Sequence, residues 1–253
     1  MRKIVLLALF LSLNMIVHAD EISLNFFIHP QFEVEDIAGL AAQLQEATMD
    51  SVMSINIYAG EIFKPAMADS VILYYLGRLP GMLFSPNDFL HYHQEKYPSF
   101  GLLAANIESD SVTTLKKFVI TVDTLKVGIF SIYTPDWFVK QQYAEGVSLR
   151  ADVFTVARKQ VEKLKAAGCD QIVMLTSLSK YVVDSMASEI DVDSIINFDY
   201  AKTKNTMMGK DKQTGYYFVN SEKGNFGRLK ITFTAGRIST EWQEHSWKDA
   251  HRN

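Results

Sequence analysis

The sequence predicts an α/β domain of packed layers, on three observations. Strand-like and helix-like stretches alternate from Leu24 to Phe198, the segment after Gly215 turns to strand patterns alone, and no internal repeat or Pro-, Gly- or Ser-rich linker divides the chain. With 253 residues, 48% hydrophobic and 21% charged, and with 13 Gly and 6 Pro, the chain has apolar material for one core. The same composition excludes a disordered, collagen-like or coiled-coil chain.

The elements follow in order. Residues 24–28 form a short apolar run stopped by Pro30, and Ile37, Leu40, Ala41 and Leu44 then recur at helical spacing. Met53, Ile55 and Ile57 alternate as a strand that ends at Ala59-Gly60. Val71, Ile72, Tyr75 and Leu76 mark a second helical face closed by Gly77, and a third apolar run covers residues 102–107. Residues 118–122 and 127–133 are β-rich and joined by a short turn around Asp123-Thr124, which predicts a hairpin. The best-marked helix covers residues 152–167: Val153, Val156, Ala157, Val161 and Leu164 share one face, Asp152 caps the start and Gly168 the end. Strand 171–175, helix 181–190 and strand 194–198 complete another β-α-β unit. Strands 216–220, 229–234 and 237–242 close the chain, the last two joined by the turn Ala235-Gly236. In such a domain ligands are expected at the carboxyl ends of the strands.

The first nineteen residues do not fit a folded domain. Arg2 and Lys3 precede an apolar run over 4–13 in which only Ser12 is polar, and Val17-His18-Ala19 places small residues where a signal peptidase needs them. The expectation is a secretory signal peptide cut after Ala19, and a periplasmic or secreted product. The run is too short to cross a bilayer, which takes about 20 apolar residues. No later segment is long enough either, so no membrane span is expected in the mature chain. The formal charge is −4, from 25 basic and 29 acidic side chains; losing Arg2 and Lys3 leaves 23 against 29, or −6. Nucleic acid is excluded as a partner on that balance. The organisation expected is a signal peptide over 1–19, one domain over 20–240 and a charged C-terminal tail over 241–253, in which His245, Trp247 and His251 are solvated.

Cys169 is the single cysteine, so no intramolecular disulfide is available. Between Gly168 and the apolar run that follows, it reads as a small buried thiol. His91-Tyr92-His93 reads as an exposed polar loop rather than a metal pair. Lys202, Lys204, Lys210 and Lys212 around Met207-Met208 read as a basic surface loop, with anion binding as the functional alternative. No phosphate-cradling Gly-rich loop, Gly-x-Ser-x-Gly or Cys-x-x-Cys occurs.

The strand ends carry a further pattern. Phe27-Ile28-His29 is followed by Ile37-Ala38-Gly39-Leu40, then by Ala59-Gly60-Glu61-Ile62-Phe63, Ser85-Pro86-Asn87-Asp88-Phe89 and Leu102-Leu103-Ala104-Ala105-Asn106-Ile107. Lys126-Val127-Gly128-Ile129-Phe130, Thr134-Pro135-Asp136, Leu175-Thr176-Ser177-Leu178, Ile196-Asn197-Phe198-Asp199-Tyr200 and Gly224-Asn225-Phe226-Gly227-Arg228-Leu229 complete the series. In this order the segments resemble the catalytic-type domain of the 5′-nucleotidase branch of the metallophosphoesterases, the calcineurin-like phosphoesterase family. The resemblance runs from about Leu24 to Ile238 and implies a layered α-β-β-α sandwich of two mixed sheets flanked by helices.

The resemblance also implies a dinuclear metal site, held by an Asp-x-His, a bridging Asp, a Gly-Asn-His, a lone His and a Gly-His-x-His. Such a pair activates water and stabilises phosphoryl charge, and its two dications need anionic ligands. Here Phe27, Ser177, Phe198 and Tyr200 stand at four of those positions, and Ser85-Pro86-Asn87 replaces the Gly-Asn-His; His29 alone keeps its identity. Glu61 keeps the charge of the bridging Asp with one methylene more. The expectation is a non-catalytic binding or structural protein whose cleft is filled by Phe27, Ser177, Phe198 and Tyr200, with no cofactor and an unspecified small-molecule or protein ligand. The alternative is an active metal-dependent phosphoesterase with a rearranged site: His29, Glu61, Asn87, Asp88 and Asp199 are its catalytic candidates. Of these His29, Glu61, Asn87 and Asp199 would hold one or two ions of Mn, Zn or Mg.

Overall fold

The structure, a computed structural model, describes residues 21–28, 37–48, 53–60, 83–86, 102–110, 114–134, 146–198, 214–218, 225–234 and 236–246. In chain order the described elements begin with β1 (Glu21–Ile28), α1 (Ile37–Thr48), β2 (Met53–Gly60), β3 (Leu83–Pro86), β4 (Leu102–Leu103), β5 (Ile107–Ser109), β6 (Thr114–Leu115) and β7 (Phe118–Val122). They continue with β8 (Leu125–Ile132), β9 (Val147–Leu149), α2 (Val153–Ala166), β10 (Gln171–Thr176), α3 (Lys180–Glu189), β11 (Ser194–Asn197), β12 (Gly215–Phe218), β13 (Asn225–Thr234) and β14 (Arg237–Ser246).

These strands build two mixed sheets. The first runs β14-β13-β1-β2-β3-β4-β6, parallel from β1 to β6 and antiparallel at β13 and β14. The second runs β12-β11-β10-β8-β7, parallel except for the β7–β8 hairpin, and β5 and β9 form a separate short pair. Ile22, Leu24, Ile55 and Ile57 of the first sheet and Val127, Ile129, Val173, Leu175 and Ile196 of the second belong to one buried apolar cluster. The outer side of the second sheet, with Phe130, Ile132, Ile172 and Met174, packs on Val156, Ala157 and Leu164 of α2 and Val183 and Met186 of α3. Two sheets with helices outside them are the layered sandwich the sequence led us to expect.

At one edge an aromatic stack ties the sheets together. Phe26 of β1 lies 6.1 Å from Trp242 of β14, and Trp242 lies 4.6 Å from Tyr217 of β12, with planes only 13° apart. The buried Trp242 Nε1 has no hydrogen-bond partner among the described residues.

Local signals explain the best-formed pieces. Asp152 accepts a hydrogen bond from the Thr155 N–H at the start of α2. At its end Gly168 adopts φ +74°, and the Gly168 and Cys169 N–H groups return to the Lys165 and Leu164 carbonyls. Close approach of α2 to β8 depends on Gly128, where a Cβ would meet Leu164 Cδ2 at 2.6 Å and Cys169 Sγ at 3.1 Å. In the hairpin Val122 pairs with Leu125, and Asp123 takes up φ +50°.

Several boundaries differ from the sequence reading. β1 begins at Glu21 rather than Leu24, because Glu21, Ile22 and Ser23 pair with Thr232, Ile231 and Lys230 of β13. The run over 102–107 is split into β4 and β5. β3, β6 and β9, which no apolar period announces, are additional strands. β14 extends to Ser246, so residues 241–246, expected in the C-terminal tail, are strand; alternation and pairing with β13 override their charge. The helix expected over Val71 to Leu76 lies outside the described residues.

Candidate functional site

Of the nine positions singled out, Phe27, Ser177 and Phe198 are among the described residues; His29, Glu61, Asn87, Asp88, Asp199 and Tyr200 lie outside them.

Phe27 is fully buried near the carboxyl end of β1. Its register partner on β2 is Tyr58, and its neighbour across β13 is Phe226, which pairs in turn with His245 on β14. The four rings stack as one row across four strands, with centroids 5.3, 4.9 and 5.0 Å apart from His245 to Tyr58. Successive planes in the row differ by 20°, 24° and 21°. Beneath this row is a polar one. Asn25 Nδ2 donates to Asn56 Oδ1 at 3.0 Å and to Ser54 Oγ at 2.6 Å, while Asn25 Oδ1 accepts from Arg228 Nε at 2.8 Å. Arg228 Nη2 reaches the Ala47 carbonyl in the last turn of α1 at 2.9 Å, a favourable place for a cation, and the guanidinium lies 5.5 Å from the Phe226 centroid. Burial pushes the Tyr58 phenol far above its usual range, offset only in part by its hydrogen bond with Asn56, so the hydroxyl stays protonated.

Strand alternation puts this face on the α1 side. Phe26, one residue earlier, points the other way, toward Trp242 and the second sheet. Phe198 belongs with Ile196 on the side of the second sheet that faces the first, edge-on to Tyr133 at 5.6 Å. Phe27 and Phe198 are thus on opposite sides of the first sheet and occupy different spaces.

The strand-end rim of the second sheet is held by neutral side chains. Ser177 Oγ accepts the Thr134 N–H at 3.0 Å. Asn106 Nδ2 donates to the Tyr133 carbonyl at 2.8 Å, and the Tyr133 N–H returns to Asn106 Oδ1 at 2.9 Å. Thr176 Oγ1 accepts from Leu178 N–H, and Asn197 Nδ2 donates to the Leu178 carbonyl and to the Tyr216 hydroxyl. This rim can pack, donate and accept hydrogen bonds. Of the positions where the resemblance expects metal ligands, the three described ones supply two hydrocarbon rings and one hydroxyl that accepts a backbone N–H, and no anionic ligand. Among the described residues no group of three or more His, Cys, Asp or Glu side chains converges.

No protein-family model matches the chain, and no curated protein does. Solved structures do match. The 5′-nucleotidase precursor of Thermus thermophilus superposes with a TM-score of 0.66 at 18% identity, over 91% of this chain and 57% of that one. This is the metallophosphoesterase fold. The NAD nucleotidase (NadN) of Haemophilus influenzae superposes at 0.65 and 15% identity, over 89% of this chain and 56% of its own. A putative 5′-nucleotidase from Staphylococcus aureus, in complex with alpha-ketoglutarate, gives 0.65 and 13%, over 89% and 54%. The chain therefore spans little more than half the length of these proteins. Within the metallophosphoesterase fold, sequence reasoning missed the clamps made by Asn106 and Asn197 and the buried Arg228. Each stood inside a segment quoted for its likeness, and only an Asn at the end of an apolar run gave a local signal.

Proposed function

We propose that this chain is an exported, non-catalytic member of the 5′-nucleotidase-like metallophosphoesterases, acting by binding or as a structural protein. The observation that carries the reading is the chemistry of Phe27, Ser177 and Phe198. They occupy positions where the resemblance expects metal ligands, yet two are buried in aromatic packing and the third is spent on the backbone of Thr134. A ring among rings excludes water and offers no lone pair to a metal ion, which supports packing at these positions over phosphate-ester hydrolysis.

A second reading, the metal-dependent phosphoesterase with a rearranged site, draws on one observation. β1 and β2 are parallel neighbours, and the sequence places His29 and Glu61 directly after them. Metal analysis of the purified protein, beside phosphatase assays with added Mn, Zn or Mg, separates the two. Substoichiometric metal and no hydrolysis above buffer support the first. Stoichiometric metal with activity lost in Glu61→Gln overturns it in favour of the second. Export is tested by the N-terminus of the protein recovered from the periplasm or medium, expected to start at Asp20.

A further inference from the structure

β14 forms one edge of the first sheet, long and without a bulge, with Arg237, Glu241 and Glu244 as its charges. It pairs with β13 through ten successive residue pairs without a bulge, and no strand flanks its other side among the described residues. Edge strands are ordinarily blunted by proline, charged side chains (lysine above all), a bulge or shortness. The segment Arg237–Ser246 contains neither proline nor lysine, and its ten residues compare with about five or six in an average strand. Its two faces differ in character. Ile238, Thr240, Trp242 and Glu244 share the side turned toward the second sheet, while Arg237, Ser239, Glu241, Gln243 and His245 share the other.

We propose that two copies of this chain pair antiparallel through β14, about a twofold axis at Thr240, joining their first sheets into one. A twofold axis normal to the sheet keeps every side chain on its own face, so only registers centred on a residue are allowed. Centring on Thr240 sets Thr240 against itself and Ile238 against Trp242 of the second copy, twice. Threonine pairs and aromatic to β-branched pairs are the favourable cross-strand combinations. The same register sets Arg237 against Gln243 and diagonal to Glu241. The neighbouring registers are worse. Centring on Glu241 opposes two carboxylates and puts Glu244 against Ile238. Centring on Trp242 puts Thr240 against Glu244 and leaves Arg237 beyond the end of the opposing strand. Centring on Ser239 pairs only the five residues 237–241. Centring on Ser239 does oppose Arg237 to Glu241, so it is the paired length together with the charge pattern that selects the Thr240 alignment, whether or not the chain binds metal.

Sedimentation of the purified chain over a range of concentrations is expected to show a monomer–dimer equilibrium. Arg237→Glu should raise the dimer dissociation constant at least tenfold, and adding Glu241→Arg should restore it, since the diagonal pair is rebuilt with its signs exchanged. In a Cys169→Ser background, Thr240→Cys should form a disulfide-linked dimer under mild oxidation, because residues opposite each other across antiparallel strands have Cα atoms about 5 Å apart. Glu244→Cys should not, since its counterpart would be about 26 Å away along the strand. A chain that stays monomeric at every concentration overturns the proposal, as does a dimer in which the charge exchange fails to restore affinity and Thr240→Cys does not cross-link.

Discussion

Phe27 and Phe226 lie face to face across β1 and β13, with ring centroids 4.9 Å apart, at the centre of a row of four rings that ends in Tyr58 and His245. Truncating the centre of such a row leaves a cavity between rings fixed by two strands. Phe27→Ala is expected to cost about 3–5 kcal/mol in denaturant unfolding. Phe27→Asp should cost more, since the carboxylate would be buried on the α1 side, and it should confer neither Mn or Zn binding nor phosphatase activity. A gain of either in Phe27→Asp would argue that the fold retains a latent metal site.

Asn106 closes a two-way bond with the Tyr133 backbone, and the Arg150 N–H donates to the Asn106 carbonyl. Asn106→Ala leaves a buried N–H and a buried C=O without partners at the strand end. A loss of about 2–4 kcal/mol is expected from equilibrium unfolding. Ser177→Ala, which strands only the Thr134 N–H in a part-buried place, should cost about 1 kcal/mol.

Gly128 marks where α2 presses on β8. A methyl group there would sit 2.6 Å from Leu164 Cδ2, so Gly128→Ala is expected to destabilise by about 1–3 kcal/mol. Leu164→Ala alone is also destabilising. In the double variant the added methyl enters the space Leu164 vacates, and a double-mutant cycle should report clearly less than the sum of the two losses.

The Asp152 carboxyl is held below its ordinary range by hydrogen bonds from the Thr155 side chain and N–H. A carboxyl with a lowered folded-state value stabilises the fold above its unfolded-state value and loses that contribution as pH falls through the folded one. Asp152→Asn keeps an acceptor at the cap but cannot titrate. Its melting temperature should therefore fall less steeply on the acid side than that of the unaltered chain, as thermal scans across the acid range will show.

Which parts of this architecture could be read in advance depended on how local their causes are. α2 carries its own start and stop in Asp152 and Gly168, and the β7–β8 hairpin carries its turn in Asp123-Thr124, so both were legible residue by residue. The start of β1 was not. Glu21, Ile22 and Ser23 precede the apolar run, and they are strand because β13, from the far end of the chain, pairs with them, Thr232 opposite Glu21 and Lys230 opposite Ser23. Strands as short as β6 or β9 have no period to detect. β14 was legible over 237–242 from its period of two in Ile238, Thr240 and Trp242, and only its extension to Ser246 hid behind Glu241 and Glu244. At the strand ends the order of segments pointed to Phe27, Ser177 and Phe198. It could not reveal that the two rings face opposite sides of a sheet, which follows only once Phe26 is seen against Trp242.

Trp242 makes that arrangement observable in solution. Its indole N–H is buried without a partner among the described residues, between Phe26 of one strand and Tyr217 of the other sheet. An indole so shielded emits at the blue end of the tryptophan range and shifts to the red when water reaches it. With Trp137 and Trp247 changed to Phe, the chain would carry a single tryptophan, excited selectively at the red edge of the aromatic absorption, at the seam between its sheets. Its emission would then report when that seam opens, separately from the helical signal that follows α2 and α3.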